Sequence, residues 1–125
     1  MGSIVNNEPP PALLTEIAAL LNDHKGEETL IMDVRGDCGF TDFFVLTTAG
    51  SSRHLASLVA YTREYLRERG VPVQNRVQPH DLSGWALLDC GGFIVHVMER
   101  AERAFYELEK LWFRSRTFAY SSKSS

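Results

Sequence analysis

The residues most able to do chemistry form a loop of small and polar side chains, residues 50–54 (GSSRH), before a helical pattern. Backbone amides at a helix start can bind a phosphate. A P-loop, however, ends in Lys followed by Ser or Thr, which this loop lacks. A nucleotidyltransferase would also need nearby carboxylates for magnesium, and the predicted strand Val73–Val77 has none. Helix capping by Ser51 or Ser52 is therefore favoured, and phosphate binding stays open.

The remaining reactive side chains are spread along the chain. The four histidines show no metal spacing: His24, His54, His80 and His96. His96 lies in an apolar strand pattern, which favours a core or interface histidine. Four Asp residues fall on separate predicted elements, so spacing alone pairs none for acid–base work: Asp33, Asp37, Asp42 and Asp89. The sequence therefore predicts no catalytic residue, no cofactor and no metal site, and the chain is not expected to be an enzyme.

Trp85 begins a strand pattern in which alternation places Trp85, Leu87 and Asp89 on one face. The two faces cannot be equally buried if Asp89 stays charged without a partner. One interpretation makes the Trp85 face a docking surface, since Trp is enriched at binding hot spots. The other is that Trp85 covers the edge of the core. The same two interpretations, a docking residue or a residue packed at the edge of the core, apply to Tyr106 on the last helix.

Hydrophobic periodicity predicts the elements that position these residues, in the order α-β-β-α-β-β-β-α. Helices are expected over about 11–25, 52–69 and 99–112, and strands over 29–34, 43–48, 73–77, 85–89 and 93–98. Gly26 is expected in the left-handed cap conformation after the first helix. The predicted fold class is an α/β sandwich with a mixed five-stranded sheet. Residues 1–11 are interpreted as a flexible leader, 12–113 as one domain and 114–125 as a mobile tail.

Charge and composition limit the partners. The formal net charge is −3, with 13 basic and 16 acidic residues, which argues against nucleic-acid binding, and DNA in particular, as the main activity. An acidic protein can still bind a basic protein. No apolar run approaches the roughly 20 residues that span a bilayer, so no membrane partner is expected. Cys38 and Cys90 form no paired motif, and the chain has no secretory signal. A bacterial cytoplasm is the expected location.

Three segments together resemble the Iojap-like, or RsfS-type, ribosomal silencing factors. They are Asp33–Gly36 with Thr41–Val45, then Gly50–His54, and finally a group of three motifs in the order that is typical of the family. These motifs are a Trp-led strand ending in Asp (Gly84–Asp89), a Val-His-Val strand (Val95–Val97) and a Tyr-x-Leu-Glu-x-Leu-Trp helix (Arg103–Trp112). The resemblance covers roughly 13–112. One departure is Gly92, where the family often has Asp in the hairpin turn.

The resemblance implies a nucleotidyltransferase-like fold without catalytic carboxylates. It also implies binding to the large ribosomal subunit through ribosomal protein L-fourteen, which would block subunit association and repress translation when nutrients are scarce. The excess of acidic over basic residues is compatible with binding to a basic ribosomal protein. Carried over residue by residue, the pattern makes Trp85 and Asp89 partner-binding candidates, followed by Arg53 and Tyr106. Two alternatives stay open: a divergent nucleotidyltransferase-like enzyme that uses the loop at Gly50–Ser51, and a homodimeric interaction domain that uses the Trp85 face.

Overall fold

A computed structural model describes residues 11–35, 41–74, 84–106 and 116–120, the last strand and residues 105–106 by their backbone. The helices are α1 (Ala12–Asp23), α2 (Ser52–Glu68) and α3 (Arg100–Tyr106). The strands are β1 (Glu27–Asp33), β2 (Phe43–Ala49), β3 (Trp85–Asp89), β4 (Phe93–Glu99) and β5 (Arg116–Tyr120). They form one sheet in the order β3-β4-β2-β1-β5. β2 and β4 are parallel and the other pairs are antiparallel, so the sheet is mixed.

The sheet separates two apolar clusters. The first lies between the sheet and helices α1 and α2, because both helices turn a stripe of aliphatic side chains toward it, including Ile17, Leu21, Leu58 and Leu66. The second lies on the opposite face and contains Met32, Phe44, Leu46 and Met98, with Trp85 and Leu87 packed at its border. Burial on both faces explains why β2 is buried along its whole length.

Four predicted strands are confirmed, at β1, β2, β3 and β4, and the chain has a mixed α/β fold. The strand predicted over 73–77 is wrong at Val73 and Gln74, which have no strand structure; residues 75–77 lie outside the described residues. Within the described part of this segment, one backbone hydrogen bond reaches β3, from the Gln74 N–H to the Asp89 carbonyl oxygen at 2.7 Å. Residues 1–10 of the predicted leader 1–11 and the end of the third helix, 107–112, also lie outside the described residues.

The fifth strand of the sheet comes from the segment expected to be a mobile tail. β5 pairs antiparallel with β1, with Thr29 opposite Tyr120 and Asp33 opposite Arg116. A second strand on its outer side satisfies backbone groups of β1 that would otherwise form a sheet edge. For these five residues the prediction of a mobile tail is wrong.

The end of α1 also differs from the expectation. Lys25, with φ of 73°, takes the left-handed conformation, which was expected at Gly26. Gly26 is needed instead for close approach: a Cβ there would meet the Thr47 hydroxyl and lie 2.9 Å from the Leu21 carbonyl oxygen. Ile31 of β1 is fully buried beneath the helices.

Candidate functional site

The loop after β2 is a helix cap. The Ser51 hydroxyl accepts a hydrogen bond of 3.0 Å from the backbone N–H of His54, and the Ser51 carbonyl accepts one of 2.9 Å from Leu55. The Ser51 side chain therefore satisfies one of the amides that α2 leaves without an intrahelical partner. The predicted capping role of Ser51 is confirmed.

His54 occupies the same loop and joins it to α1. Its Nδ1 accepts a hydrogen bond of 2.9 Å from the Gly50 N–H, and its Nε2 lies 2.9 Å from the carbonyl oxygen of His24. Because Nδ1 is an acceptor, Nε2 carries the proton and donates to His24. The amides of Gly50 and His54 are thus both engaged within the protein, which leaves fewer donors for a phosphate.

Trp85 and His96 form a polar contact at the border of the second cluster. The indole Nε1 of Trp85 donates to His96 Nδ1 at 3.2 Å, and Phe44 packs edge-on against the imidazole with centroids 4.8 Å apart. His96 is only 4% exposed. Burial, together with the charge of Arg103, lowers the pKa of His96 to about 4, so the ring is neutral at physiological pH. Trp85 itself is half-buried and so covers the core edge while keeping part of its surface exposed.

α3 contributes a buried cation to the same face of the sheet. Arg103 is 6% exposed, and its Nη1 donates to the Thr48 hydroxyl at 2.8 Å. Thr48 lies opposite Met98 at the carboxyl end of β2. Sequence reasoning did not predict the roles of His54 and Arg103. Both contact residues 30 or more positions away in the chain, which local patterns do not show.

Asp89 stabilises the turn between β3 and β4. Its Oδ1 accepts a hydrogen bond of 2.9 Å from the Gly91 N–H, and Gly91 has φ of 88°, which glycine adopts without strain. The β3 residues facing the second cluster are half-buried, whereas Ala86 and Leu88 are buried. The predicted difference between the two faces of β3 is therefore confirmed.

The structure brings only some of the candidates together. Trp85 pairs with Met98, and Ala49 pairs with Glu99, so Trp85 lies at the sheet end where α2 and α3 begin. Arg53 is exposed in the first turn of α2. Asp89 lies at the other end of β3, about 13 Å away at the usual rise per strand residue. Tyr106 ends α3, and its side chain lies outside the described residues.

Nothing in the described parts of the chain forms a metal-binding cluster of His, Cys, Asp and Glu. Burial, followed by the charge of Asp89, raises the pKa of the Cys90 thiol to about 11, so this thiol stays protonated and is a poor nucleophile. Cys38 lies outside the described residues. Among the described helices, none combines the length and apolar character needed to cross a membrane.

Comparison with known proteins assigns this arrangement to a family. The family model described as "Ribosomal silencing factor during starvation" matches residues 7–124. The ribosomal silencing factor of Bacillus subtilis is 30% identical over 101 residues, which cover 81% of this chain and 85% of that protein. A mouse protein named "Mitochondrial assembly of ribosomal large subunit protein 1" is 30% identical over 99 residues, covering 77% of this chain and 43% of its own length.

Solved structures agree with the sequence comparison. A crystal structure of a Chromobacterium violaceum protein superposes with a TM-score of 0.72 at 27% identity, covering 83% of this chain and 88% of that one. A Bacillus halodurans protein superposes with a TM-score of 0.68 at 28% identity, covering 85% and 93%. The resemblance drawn from the Trp-led strand, the Val-His-Val strand and the last helix is confirmed, and the chain belongs to the RsfS family of ribosomal silencing factors.

Proposed function

We propose that this chain binds the large ribosomal subunit through ribosomal protein L-fourteen in the cytoplasm. Bound there, it sterically blocks subunit association and represses translation under nutrient limitation. The observation that carries the proposal is the family match over residues 7–124. The name of the mouse relative, which refers to assembly of the ribosomal large subunit, supports this subunit as the partner. The net charge of −3 is compatible with a basic ribosomal protein.

The geometry at the Trp85 end of the sheet supports a steric mechanism. Such a mechanism needs a rigid surface and no reacting group. Trp85 is held by its hydrogen bond to His96 and by packing on the second cluster, so little side-chain freedom is left to lose on binding. Arg53 is exposed at the same end of the sheet. We place the contact with ribosomal protein L-fourteen on this end, with Trp85 in it and Arg53 and Tyr106 at its border.

Asp89 contributes to binding in a different way from Trp85 and Arg53. It lies at the far end of β3 and accepts a hydrogen bond from Gly91, so its first contribution is to the shape of the β3–β4 turn. We infer that its removal weakens binding through that turn. Asp89→Asn keeps an oxygen acceptor for the Gly91 N–H and should bind like the unchanged protein, whereas Asp89→Ala should bind less tightly and unfold more easily.

The test is sedimentation of separated ribosomal subunits through a density gradient, with and without the protein. We expect the protein to travel with large subunits and to reduce their reassociation with small subunits. Trp85→Phe removes the indole N–H and keeps an aromatic ring, whereas Trp85→Ala would also open the core edge. Trp85→Phe and Arg53→Ala should each weaken binding about tenfold or less, and Ser57→Ala, exposed on α2, should not change it.

Protein that stays at the top of the gradient at high concentration would refute ribosome binding. Binding to large subunits without any effect on reassociation would refute the steric step alone. The homodimeric use of the Trp85 face predicts a different result: a dimer in sedimentation of the protein by itself, and its loss in Trp85→Phe. Reconstitution with isolated ribosomal protein L-fourteen tests the named partner directly.

A further inference from the structure

The exposed surface of α2 carries three arginines on one side, with Glu64 beside them. At 100° per residue, Arg53, Ala56, Ala60, Arg63 and Arg67 follow one side of the helix. The neighbouring side faces α1, since Tyr61 stacks on the ring of His24 with centroids 3.7 Å apart. We call Arg53, Arg63 and Arg67 the arginine flank. α2 carries a net charge of +1 in a chain whose total is −3, so this flank is a basic surface on an acidic protein.

A groove follows the arginine flank. It has a volume of about 530 Å³ and lies between Ala60, Arg63, Glu64 and Arg67 on the helix and Val71–Val73 in the chain that leaves it. The alanine leaves the helix backbone open to close approach. Arg67 forms a 2.5 Å ion pair with Glu64, but both side chains are more than half exposed, so this pair contributes little and the guanidinium can turn to another anion.

Resting on the proposed function, we propose that the arginine flank of α2 binds the phosphodiester backbone of large-subunit ribosomal RNA when the protein is docked. Arg53 and Arg67 are 14 residues apart, which is about 21 Å at the helical rise of about 1.5 Å per residue. One strand of a nucleic acid presents about six phosphates over that length. Arginine guanidinium groups bind phosphate oxygens through two parallel hydrogen bonds.

The arrangement favours a nucleic-acid backbone over an acidic protein segment. The three cations are spread along a line with small side chains between them, which suits a linear polyanion. A protein segment would be expected to anchor a large side chain in a deep pocket at the centre of its interface. A protein with a net charge of −3 also approaches a ribosome, whose surface is rich in phosphate, more readily through a basic side.

The first experiment measures how affinity for isolated large subunits depends on salt. Arg63→Gln/Arg67→Gln should lower affinity about tenfold at physiological salt. It should reduce the slope of log affinity against log salt by about 1.4–1.8, since each lost phosphate contact accounts for about 0.7–0.9. The matched control is Lys25→Gln/Arg69→Gln, which removes the same charge from exposed residues near α1 and should leave the slope unchanged. If the double variant does not fold, Arg67→Glu alone, at a position where the side chain is 72% exposed, should still lower affinity.

The second experiment identifies the contact. A photo-cross-linking residue at Ala60, in the groove, should form adducts with ribosomal RNA, and one at Glu68 should not. Adducts confined to ribosomal proteins would overturn the inference and indicate an acidic protein partner instead. Unchanged affinity and slope in the arginine variants would also overturn it. In both cases the unchanged protein still sediments with large subunits, whereas failure of the proposed function would abolish that sedimentation.

Discussion

The imidazole of His96 lies among apolar side chains, and its Nδ1 accepts the Trp85 N–H. Protonation would place a charge in this apolar site, beside the positive charge of Arg103, and would remove the acceptor. The folded protein therefore holds the pKa of His96 at about 4, below its ordinary value of 6.5. The neutral ring is favoured by folding, so its contribution to stability is complete above pH 6.5. That contribution is lost as the pH falls toward 4.

We predict that the free energy of unfolding falls by about 2 kcal/mol between pH 7.5 and pH 5 because of His96, since each unit of pKa shift corresponds to about 1.4 kcal/mol. Urea unfolding at both pH values measures it. His96→Gln removes the titrating ring and should flatten this part of the pH profile. Equal pH dependence in the unchanged protein and His96→Gln would contradict the assignment.

At single residues, sequence reasoning succeeded where a local pattern determines the environment. Alternation along β3 predicted the half-buried face of Trp85 and Asp89, and the position of Ser51 before a helical pattern predicted its capping role. It could not predict that His54 would bond the carbonyl of His24, nor that Arg103 would be buried against Thr48. These contacts depend on how α1, α2 and α3 pack on the sheet, which no short window of sequence contains.

At the level of elements, the junction of α1 and β1 depends on Gly26. A Cβ at this position would press on the Thr47 side chain and lie 2.9 Å from the Leu21 carbonyl oxygen, which belongs to the rigid end of α1. We predict that Gly26→Ala destabilises the fold by about 1–3 kcal/mol, the usual range for overpacking. Chemical denaturation measures the change. Gly92→Ala, where no atom lies within 4 Å of the added Cβ, should change stability by less than about 0.5 kcal/mol.

Pairing between elements explains both errors of the strand prediction. Val73 fits a strand pattern but packs against the first cluster, and Gln74 makes one backbone bond to β3. The segment Arg116–Tyr120 contains Thr, Phe and Tyr, which favour strands, yet it lies among Ser and Lys residues typical of a tail. Its partner β1 is about 85 residues earlier in the chain, so the pairing is visible only in the folded structure.

The position of β5 on the outer side of β1 leads to a prediction about truncation. Ending the chain after Ser115 removes β5 and exposes the unpaired edge of β1. We expect a loss of about 2–3 kcal/mol, from several backbone hydrogen bonds at about 1 kcal/mol each, together with concentration-dependent aggregation. Ending the chain after Tyr120 keeps the strand and is the matched control. Thermal unfolding and light scattering measure both effects, and equal behaviour of the two truncations would contradict the role of β5.

For the whole molecule, the sequence predicted the mixed α/β fold and the family because three motifs in a fixed order span most of the chain. The choice between a steric factor and a divergent nucleotidyltransferase depends on the loop after β2. In a nucleotide-binding version, the amides of this loop would face a phosphate. Here the Gly50 amide donates to His54, and the His54 amide donates to Ser51, so neither of these two amides can bind a phosphate unless its present bond breaks.

We therefore predict that millimolar ATP, GTP, CTP or UTP with magnesium does not stabilise the protein in a thermal-shift measurement. A nucleotide at ten times its dissociation constant would add about 1.4 kcal/mol, which is a detectable shift in melting temperature. His54→Ala frees the Gly50 amide and serves as the sensitive control. A shift in this variant alone would show that the loop can bind phosphate once the His54 contact is removed. A shift in the unchanged protein would favour the enzyme, because binding would then have outcompeted contacts that the fold makes by itself.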